Sequence, residues 1–195
     1  GQVSMAHLAA MSRCARNIVL LGDQMQLGQP TQGSHPGDAG LSTLDYLMKG
    51  QQVVPEDKGV LLSRSYRMHP NVLSFISKLV YQGRLDADPA NKKQAIDTLN
   101  CNRVERTNGI EFHSVDHSGN VIASDEEVAY IEALYDDFIG AGYIDKSGEK
   151  HVITNNDILI VTPYNLQVMR LKKSLPGARV GTVDKFQGQE APIVI

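Results

Sequence analysis

The chain has little cysteine, with only Cys14 and Cys101 among its 195 residues. They lie far apart and neither belongs to a CxxC pair, so the sequence predicts neither a disulfide framework nor a zinc site. Reduced thiols are typical of the cytoplasm, where we expect the protein to reside. His113 and His117 have a spacing found in metal sites, but no second ligand pair accompanies them, and we predict no metal site.

The sequence also lacks long apolar runs, a signal peptide and a surplus of positive charge. No run is long enough to span a bilayer, and no basic segment followed by an apolar one stands at the start. The 19 Lys and Arg against 22 Asp and Glu give a net charge of −3, so the chain as a whole is not a basic nucleic-acid binder. Because it starts at Gly1 without a methionine and ends inside an apolar run, we expect it to be a piece of a longer protein.

The pattern of apolar residues predicts an α/β fold. From residue 60 onward strands and helices alternate, which calls for a mainly parallel sheet flanked by helices. The length suits one or two domains, and a polar segment containing Pro55 resembles a linker, so we place the domains at residues 1–55 and 56–195. Residues 84–108 are expected to be mostly loop. The predicted strands are 18–21, 60–62, 109–115, 158–161, 180–183 and 193–195, and the predicted helices 3–15, 41–48, 72–81, 124–140 and 167–175.

Three polar loops, at residues 63–68, 162–165 and 184–190, accompany these strands. Right-handed crossovers bring the carboxyl ends of parallel strands to one edge of the sheet, and open α/β sheets bind ligands at that edge. The last loop, taken alone, is equally consistent with an ordinary polar surface loop. The convergence of three polar loops favours a ligand site.

Side chains near the predicted strand ends suit contact with a nucleotide. Asp23 and Gln26 follow the first strand, and an amide can touch a phosphate oxygen or orient a water without adding charge. Arg67 offers a planar fork for bidentate phosphate contact, with a salt bridge at a helix end as the alternative. Tyr66 offers a ring for stacking, and the Glu190 carboxylate suits the hydroxyls of a ribose.

Four separated motifs follow one another along the chain: GDQMQL at 22–27, YRMHP at 66–70, VTPY at 161–164 with Gln167, and VDKFQGQE at 183–190. Motifs of this kind stand in this order in superfamily 1 helicases. The chain most resembles the 5′-to-3′ branch that contains the nonsense-mediated-decay and Okazaki-fragment helicases. Residues 29–36, QPTQGSHP, further resemble bacterial members, some of which carry a RecB-like nuclease domain in the same polypeptide. Gly1 and Gln2 resemble the end of an Asp-Glu-Ala-x-Gln box.

The resemblance implies a RecA-like P-loop NTPase fold, ATP and Mg²⁺ as cofactors, and single-stranded nucleic acid as partner, with DNA favoured over RNA. Residues 1–55 then correspond to the end of the first RecA-like domain and residues 56–195 to most of the second. Gln26 and Arg67 match catalytic residues that sense the γ-phosphate. The positions matching ATP-binding residues are Asp23, Gln26, Tyr66, Arg67 and Glu190. Those matching segments that contact nucleic acid are Thr162, Pro163, Tyr164, Thr182, Gln187 and Gly188.

The sequence departs from this family pattern at three places. It contains no GxxxxGK(S/T) phosphate loop, no Asp-Glu of the magnesium box and no downstream arginine motif. Because phosphoryl transfer depends on those groups, we expect the 195-residue chain alone to be inactive. The leading hypothesis is part of an ATP-dependent helicase or translocase. Two alternatives stay open, a non-enzymatic nucleic-acid interaction module on the same scaffold and the substrate-gripping part of a helicase–nuclease.

Overall fold

The computed structural model describes residues 3–28, 33 and 35–195. The chain divides into two compact units, Gly1–Arg64 with Ser74–Asp86, and Ser65–Leu73 with Ala87–Ile195. None of the helices in the described part of the chain combines the length and the apolar character that crossing a bilayer requires.

Two short helices in the first unit each begin behind a serine. α1 (Met5–Met11) follows Ser4, whose hydroxyl accepts the backbone N–H of His7 at 3.4 Å. α2 (Thr43–Met48) follows Ser42, whose hydroxyl accepts a backbone N–H at 3.1 Å. Serine is favoured at this position because its oxygen satisfies an amide that has no partner within the helix. α1 is shorter than the helix predicted over residues 3–15. A 3-10 helix, Gly37–Gly40, precedes α2.

Residues 18–21 do not form the strand predicted for them. Val19 and Leu21 are 83% and 90% exposed. An apolar run becomes a strand only when neighbouring backbone supplies its hydrogen bonds, and no described strand pairs with this one. Residues 60–62 also form no strand, with Val60 85% exposed. Both strand predictions are wrong for the same physical reason.

Helix α3 (Pro70–Val80) begins with Pro70 in its first turn, as predicted. Leu73 is buried on its inner face. The Ser77 hydroxyl donates to Leu85 O at 2.9 Å and accepts from Leu85 N at 3.0 Å, so the chain folds back along the helix.

Residues 84–108, which were expected to be mostly loop, contain short elements of secondary structure. A two-stranded sheet pairs β1 (Arg64–Ser65) with β2 (Asp86–Ala87), and a 3-10 helix covers Pro89–Lys93.

From residue 95 onward, the described part of the second unit forms two sheets and three α-helices. In chain order these elements are β3 (Ala95–Ile96), α4 (Asp125–Phe138), β4 (Gly142–Ile144), β5 (Lys150–Val152), β6 (Ile158–Val161), α5 (Asn165–Ser174), β7 (Arg179–Gly181), α6 (Val183–Phe186) and β8 (Ile193–Val194).

Strand β6 is the centre of a parallel sheet and lies between β7 and β8. Its residues Ile158, Leu159 and Ile160 are at most 3% exposed, which is typical of a parallel strand covered on both faces. Helices α4 and α5 share the core of this sheet, through residues such as Phe138 and Leu171. The predicted α/β arrangement, a parallel sheet flanked by helices, is confirmed in this unit.

Strands β3, β4 and β5 form an antiparallel sheet that the apolar pattern does not reveal. Tyr143 on β4 lies opposite His151 on β5, and their rings stack with centroids 5.0 Å apart. The strands have three residues or fewer and few apolar side chains, so no period-2 signal is long enough to indicate them.

The strand predicted over residues 109–115 is wrong, although exposure alternates along residues 111–115. Side-chain hydrogen bonds hold this segment, where a strand would be held by backbone hydrogen bonds to a neighbouring strand. The Glu111 carboxylate accepts the backbone N–H groups of Glu105 and Arg106, and His113 Nδ1 lies 2.9 Å from the Tyr130 hydroxyl.

Candidate nucleotide and nucleic-acid site

The carboxyl ends of β6 and β7 form one edge of the parallel sheet. Val161 pairs with Gly181, and the backbone N–H of the next residue, Thr162, donates to Gly181 O at 3.1 Å. Thr162 and Thr182 therefore leave adjacent strands at the same edge. Of the three loops predicted to follow strands to this edge, those after β6 and β7 do so, whereas loop 63–68 follows no strand, because residues 60–62 form none.

Thr162, Pro163 and Tyr164 form the turn between β6 and α5. Thr162 is buried, and its hydroxyl accepts the backbone N–H of Tyr164 at 3.5 Å. Pro163 is exposed, and Tyr164 is 47% exposed at the start of the helix. The buried threonine fixes the turn and leaves the aromatic ring accessible for stacking.

Thr182 stands at the start of α6 with extended backbone, φ −80° and ψ 165°. Its side chain forms no capping hydrogen bond to this described helix. The strand predicted over residues 180–183 extends two residues too far, because β7 ends at Gly181 and Val183 already begins α6. The hydroxyl of Thr182 is therefore not committed to its own helix.

The turn after α6 contains Gln187, which is exposed, and Gly188, whose φ of +80° favours glycine. The next residue, Gln189, fastens this turn from both ends. Its Oε1 accepts from Arg179 Nη2 at 2.8 Å, and its Nε2 donates to Lys185 O at 3.1 Å. Gln189 thereby ties the turn that contains Gly188 to α6 and to Arg179, the first residue of β7.

Arg67 Nε forms an ion pair with Glu190 Oε2. The two side chains are 57% and 65% exposed. The backbone oxygen of Arg67 accepts from Gln94 Nε2 at 3.1 Å, and that of Tyr66 accepts from Lys146 Nζ at 3.4 Å. Tyr66 itself is 61% exposed. The structure thus brings the loop carrying Arg67 to the one that ends at Glu190, within the second unit.

Asp23 and Gln26 lie in the first unit, on a compact turn. Asp23 Oδ1 accepts the backbone N–H of Met25 at 2.9 Å, and Asp23 Oδ2 accepts from Gln26 Nε2 at 3.0 Å. Oδ2 also accepts the hydroxyl of Tyr81. Burial, with the Asp23 carboxylate adding to it, raises the pKa of the Tyr81 hydroxyl, so it remains a protonated donor.

Gln167 belongs to the motif that includes residues 161–164, but the sequence predicts no site role for it. It is 3% exposed, and its Oε1 accepts the backbone N–H of Ser124 at 2.9 Å. Its Nε2 donates to Ser124 O at 3.2 Å and to Glu127 Oε2 at 3.3 Å. Half of the predicted capping box is present, because the Ser124 hydroxyl accepts from Glu127 N at 3.1 Å. Gln167 replaces Glu127 as the partner of the Ser124 N–H, and it ties the start of α5 to the start of α4.

A cluster of Asp145, Glu149 and His151 lies on the β4–β5 hairpin, with one ligand-type atom from each residue within 4.8 Å of the others. Asp145 Oδ1 accepts the Ser147 hydroxyl at 2.6 Å and the backbone N–H groups of Ser147, Gly148 and Glu149 at 2.8 to 3.0 Å. The Ser147 hydroxyl first, and then the backbone N–H groups and His151, hold the pKa of Asp145 well below its ordinary value. This carboxylate organises the turn.

A profile of the AAA domain family matches residues 40–195. The chain is 28% identical over 193 residues to the DNA replication ATP-dependent helicase/nuclease DNA2 of Gallus gallus, which covers 93% of the chain and 17% of that protein. It is 27% identical over 190 residues to the DNA polymerase alpha-associated DNA helicase A of Schizosaccharomyces pombe, and this alignment covers 91% of the chain and 28% of that protein. It is 29% identical over 202 residues to the DNA-binding protein SMUBP-2 of Mesocricetus auratus, and this alignment covers 93% of the chain and 19% of that protein.

The chain spans less than a third of the length of these relatives. Two sequence-based resemblances lie outside the described residues, Gly1 with Gln2 and most of residues 29–36. The match of the family profile over most of the chain, together with the relatives, establishes the family. The chain belongs to the AAA domain family, within the superfamily 1 helicases, and has the RecA-like α/β fold of that family.

Proposed function

We propose that this chain contributes to an ATP-dependent helicase or translocase that moves along single-stranded nucleic acid. Residues 56–195 are the second RecA-like motor domain in this proposal, and residues 1–55 are the end of the first. The observation that carries the proposal is the Arg67–Glu190 pair, which joins two loops whose side chains suit a nucleotide. The division after residue 55 stays a prediction.

Arg67 is the group we assign to the γ-phosphate. Its partner Glu190 is exposed, and an exposed ion pair contributes only about 0.2–1 kcal/mol. Exchanging the carboxylate for a phosphate therefore costs little, while a guanidinium can bind phosphate through two hydrogen bonds. Once Glu190 is free, its carboxylate is available to the ribose hydroxyls.

We assign Asp23, Gln26 and Tyr66 to the nucleotide as well. Gln26 is the second catalytic residue in the proposal, because its amide can orient a water molecule beside the terminal phosphate. ATP supplies the phosphoryl group whose transfer drives the motor. The chain's own residues fit the sensing of phosphate and ribose, but the 195 residues contain no GxxxxGK(S/T) loop, and we assign no Mg²⁺ ligand to them.

The sheet edge is the proposed contact for single-stranded nucleic acid. Thr182 has a hydroxyl not bound to its helix, and Tyr164 has an accessible ring. Hydroxyl and backbone N–H groups bind phosphates without reading sequence, and rings stack on bases of any kind. The remaining proposed contacts are Thr162, Pro163, Gln187 and Gly188.

DNA is the favoured substrate, since the relatives from Gallus gallus and Schizosaccharomyces pombe are named as DNA helicases and SMUBP-2 as a DNA-binding protein. The name helicase/nuclease of the first relative supports a nuclease domain on the same polypeptide. A cytoplasmic location belongs to the proposal too, because Cys14 and Cys101 are both free thiols.

The test is the ATPase rate of the full-length protein with and without single-stranded DNA and single-stranded RNA. We expect stimulation by DNA, and a fall of about 10²-fold to 10³-fold in kcat for Arg67→Ala, as for the loss of a group that stabilises transition-state charge. Arg170→Ala is the matched control, because Arg170 pairs with Asp125 at 2.8 Å on α5 and α4 and is also partly exposed.

Each outcome separates the proposals. Nucleic-acid binding without any ATP hydrolysis by the full-length protein would favour the non-enzymatic interaction module. An unchanged rate in Arg67→Ala would remove the assigned role of that residue. The 195-residue chain alone is expected to hydrolyse no ATP, and a nucleic-acid-stimulated rate in that chain would contradict this expectation.

A further inference from the structure

We infer that the Tyr81 hydroxyl is a positioning group for Gln26 and that it acts through Asp23. Tyr81 touches neither nucleotide nor nucleic acid in this inference. It deepens the proposed function, on which it rests, by adding a residue that none of the helicase motifs in the sequence contains.

The Asp23 carboxylate connects Tyr81 to Gln26. Oδ1 is occupied by the backbone N–H of Met25 at 2.9 Å, which fixes the turn. Oδ2 is shared between Gln26 Nε2 at 3.0 Å and the Tyr81 hydroxyl. Because hydrogen bonds to a carboxylate are stronger than those between neutral groups, this oxygen determines the orientation of both donors.

The orientation of the Gln26 amide follows from that bond. Its Nε2 end is directed at Asp23, so Oε1 is the end of the amide that this hydrogen bond leaves free to accept. An amide oxygen held in one place is an acceptor for the proton of an attacking water, whereas a freely rotating amide presents oxygen and nitrogen in turn. The tyrosine hydroxyl thus influences which end of Gln26 faces a reactant.

Tyr81 provides one long-range attachment of this turn, and Gln24 provides another. The hydrogen bonds of Asp23 with Met25 and Gln26 are local, within three positions along the chain. The other attachment is Gln24 Nε2, which donates to Gln51 O at 3.1 Å and Gln52 O at 2.8 Å. Gln24 anchors the backbone side of the turn, and Tyr81 anchors the carboxylate that holds Gln26.

The position of Tyr81 in the sequence gives this bond a functional context. Tyr81 directly follows α3, and α3 begins three positions after Arg67. The same chain segment therefore carries the proposed phosphate-sensing arginine before the helix and the Gln26-positioning hydroxyl after it. Because burial raises the pKa of Tyr81, the hydroxyl keeps its proton and donates across the pH range in which ATPases are assayed.

The test compares Tyr81→Phe with Tyr46→Phe in the full-length protein. Tyr46 also lies in the first unit, on α2, and is not assigned to any site. For Tyr81→Phe we expect DNA-stimulated kcat to fall about 10-fold to 100-fold, the cost of a small misplacement of a catalytic group. We expect the KM for ATP and the melting temperature to stay near the wild-type values, and Tyr46→Phe to change none of the three.

A purely structural role is distinguished by combining variants. If Tyr81 acts through Gln26, Tyr81→Phe causes no further loss of kcat in a Gln26→Ala background. Equal losses in both backgrounds, or a wild-type kcat in Tyr81→Phe, overturn the inference.

A second measurement does not need ATPase activity. The side-chain amide signals of Gln26 in the NMR spectrum of the protein are expected to shift and to exchange faster in Tyr81→Phe and not in Tyr46→Phe. Unchanged Gln26 signals in Tyr81→Phe overturn the inference. A wild-type protein with no DNA-stimulated ATPase, but with these signal changes, would contradict the proposed function and leave the positioning role intact.

Discussion

Arg67 and Glu190 are joined by an ion pair between the loop that precedes α3 and the loop that follows α6. Both side chains are more than half exposed, so solvent screens the pair and it adds little to stability. Because the pair adds little to the fold, our proposal that both residues bind a nucleotide can be tested by variants that leave stability nearly unchanged.

The first prediction concerns Glu190→Gln. We expect the free energy of unfolding to change by less than about 1 kcal/mol, because the lost ion pair is exposed. We expect the KM for ATP to rise about tenfold, since the amide replaces a charged acceptor for the ribose hydroxyls. Thermal unfolding and steady-state ATPase kinetics of the full-length protein measure the two effects.

Asp125→Asn is the control, because it removes the carboxylate of the Asp125–Arg170 pair. We expect Asp125→Asn to change the free energy of unfolding as little as Glu190→Gln does, and to leave the KM for ATP unchanged. If Glu190→Gln destabilises the protein strongly and leaves the KM unchanged, the pair is structural and the assignment of Glu190 to the nucleotide is wrong.

The second prediction is that Gln167→Ala destabilises the protein although Gln167 lies beside a predicted nucleic-acid motif. The variant leaves the buried N–H and C=O of Ser124 without their partner, which costs about 1–3 kcal/mol. Lys172→Ala, on the exposed side of the same helix, should change stability by less than about 0.5 kcal/mol. Denaturant unfolding compares the two, and equal midpoints would show that Gln167 does not hold α4 to α5.

The sequence predicts those elements whose buried residues form a continuous or periodic pattern of apolar side chains. β6 has three consecutive residues that are almost fully buried, and α4 has a serine cap, so both were identified close to their observed limits. Residues 18–21 carry the same apolar signal but form no strand, and Val19 and Leu21 are exposed, because strand formation requires a paired neighbour and not only an apolar run.

The candidate site likewise contains some contacts that the sequence predicts and others that it does not. The convergence of Thr162 and Thr182 follows from the direction of parallel strands, which the alternation of elements predicts. The tie between Tyr81 and Asp23 depends on where a side chain far along the chain comes to lie. No local spacing encodes such a contact, and only the folded chain reveals it.

The third prediction concerns Gly181, the last residue of β7. A Cβ at this position would lie 2.6 Å from Lys185 Cδ and 3.0 Å from the ring of Phe186. The lysine can move, but the Phe186 ring is buried and must shift. We expect Gly181→Ala to destabilise the protein by about 1–3 kcal/mol, as for other substitutions that overfill a packed site, and to weaken single-stranded DNA binding by displacing α6.

Gly142→Ala is the matched control in a strand of the same unit. A Cβ there meets its nearest atom, Asp97 Cβ, at 3.6 Å, which is an ordinary contact distance. Its unfolding midpoint and DNA affinity should stay near the wild-type values. Tolerance of alanine at residue 181 would mean that α6 is not packed tightly on β7.

The last prediction is a pH dependence that arises from Asp145. Because the Ser147 hydroxyl and the neighbouring backbone N–H groups favour the carboxylate, the pKa of Asp145 in the folded protein lies below its ordinary value of 3.8. A lowered pKa stabilises the folded state at pH values above 3.8, and this contribution is lost as the pH falls from 3.8 through the lowered value. Asp145→Asn keeps an oxygen that can accept in the turn but has no charge. We therefore expect the variant to be less stable than the wild type at pH 7, and this difference in stability to become smaller as the pH falls below 3.8.

Thermal unfolding of the variant and the wild type at several pH values measures this difference. Ser147→Ala supplies the complementary observation, because loss of the hydroxyl donor should raise the pKa of Asp145 in an NMR titration of its carboxyl carbon. A stability difference between Asp145→Asn and wild type that is the same at pH 7 and pH 2 would show that the charge of Asp145 does not stabilise the hairpin.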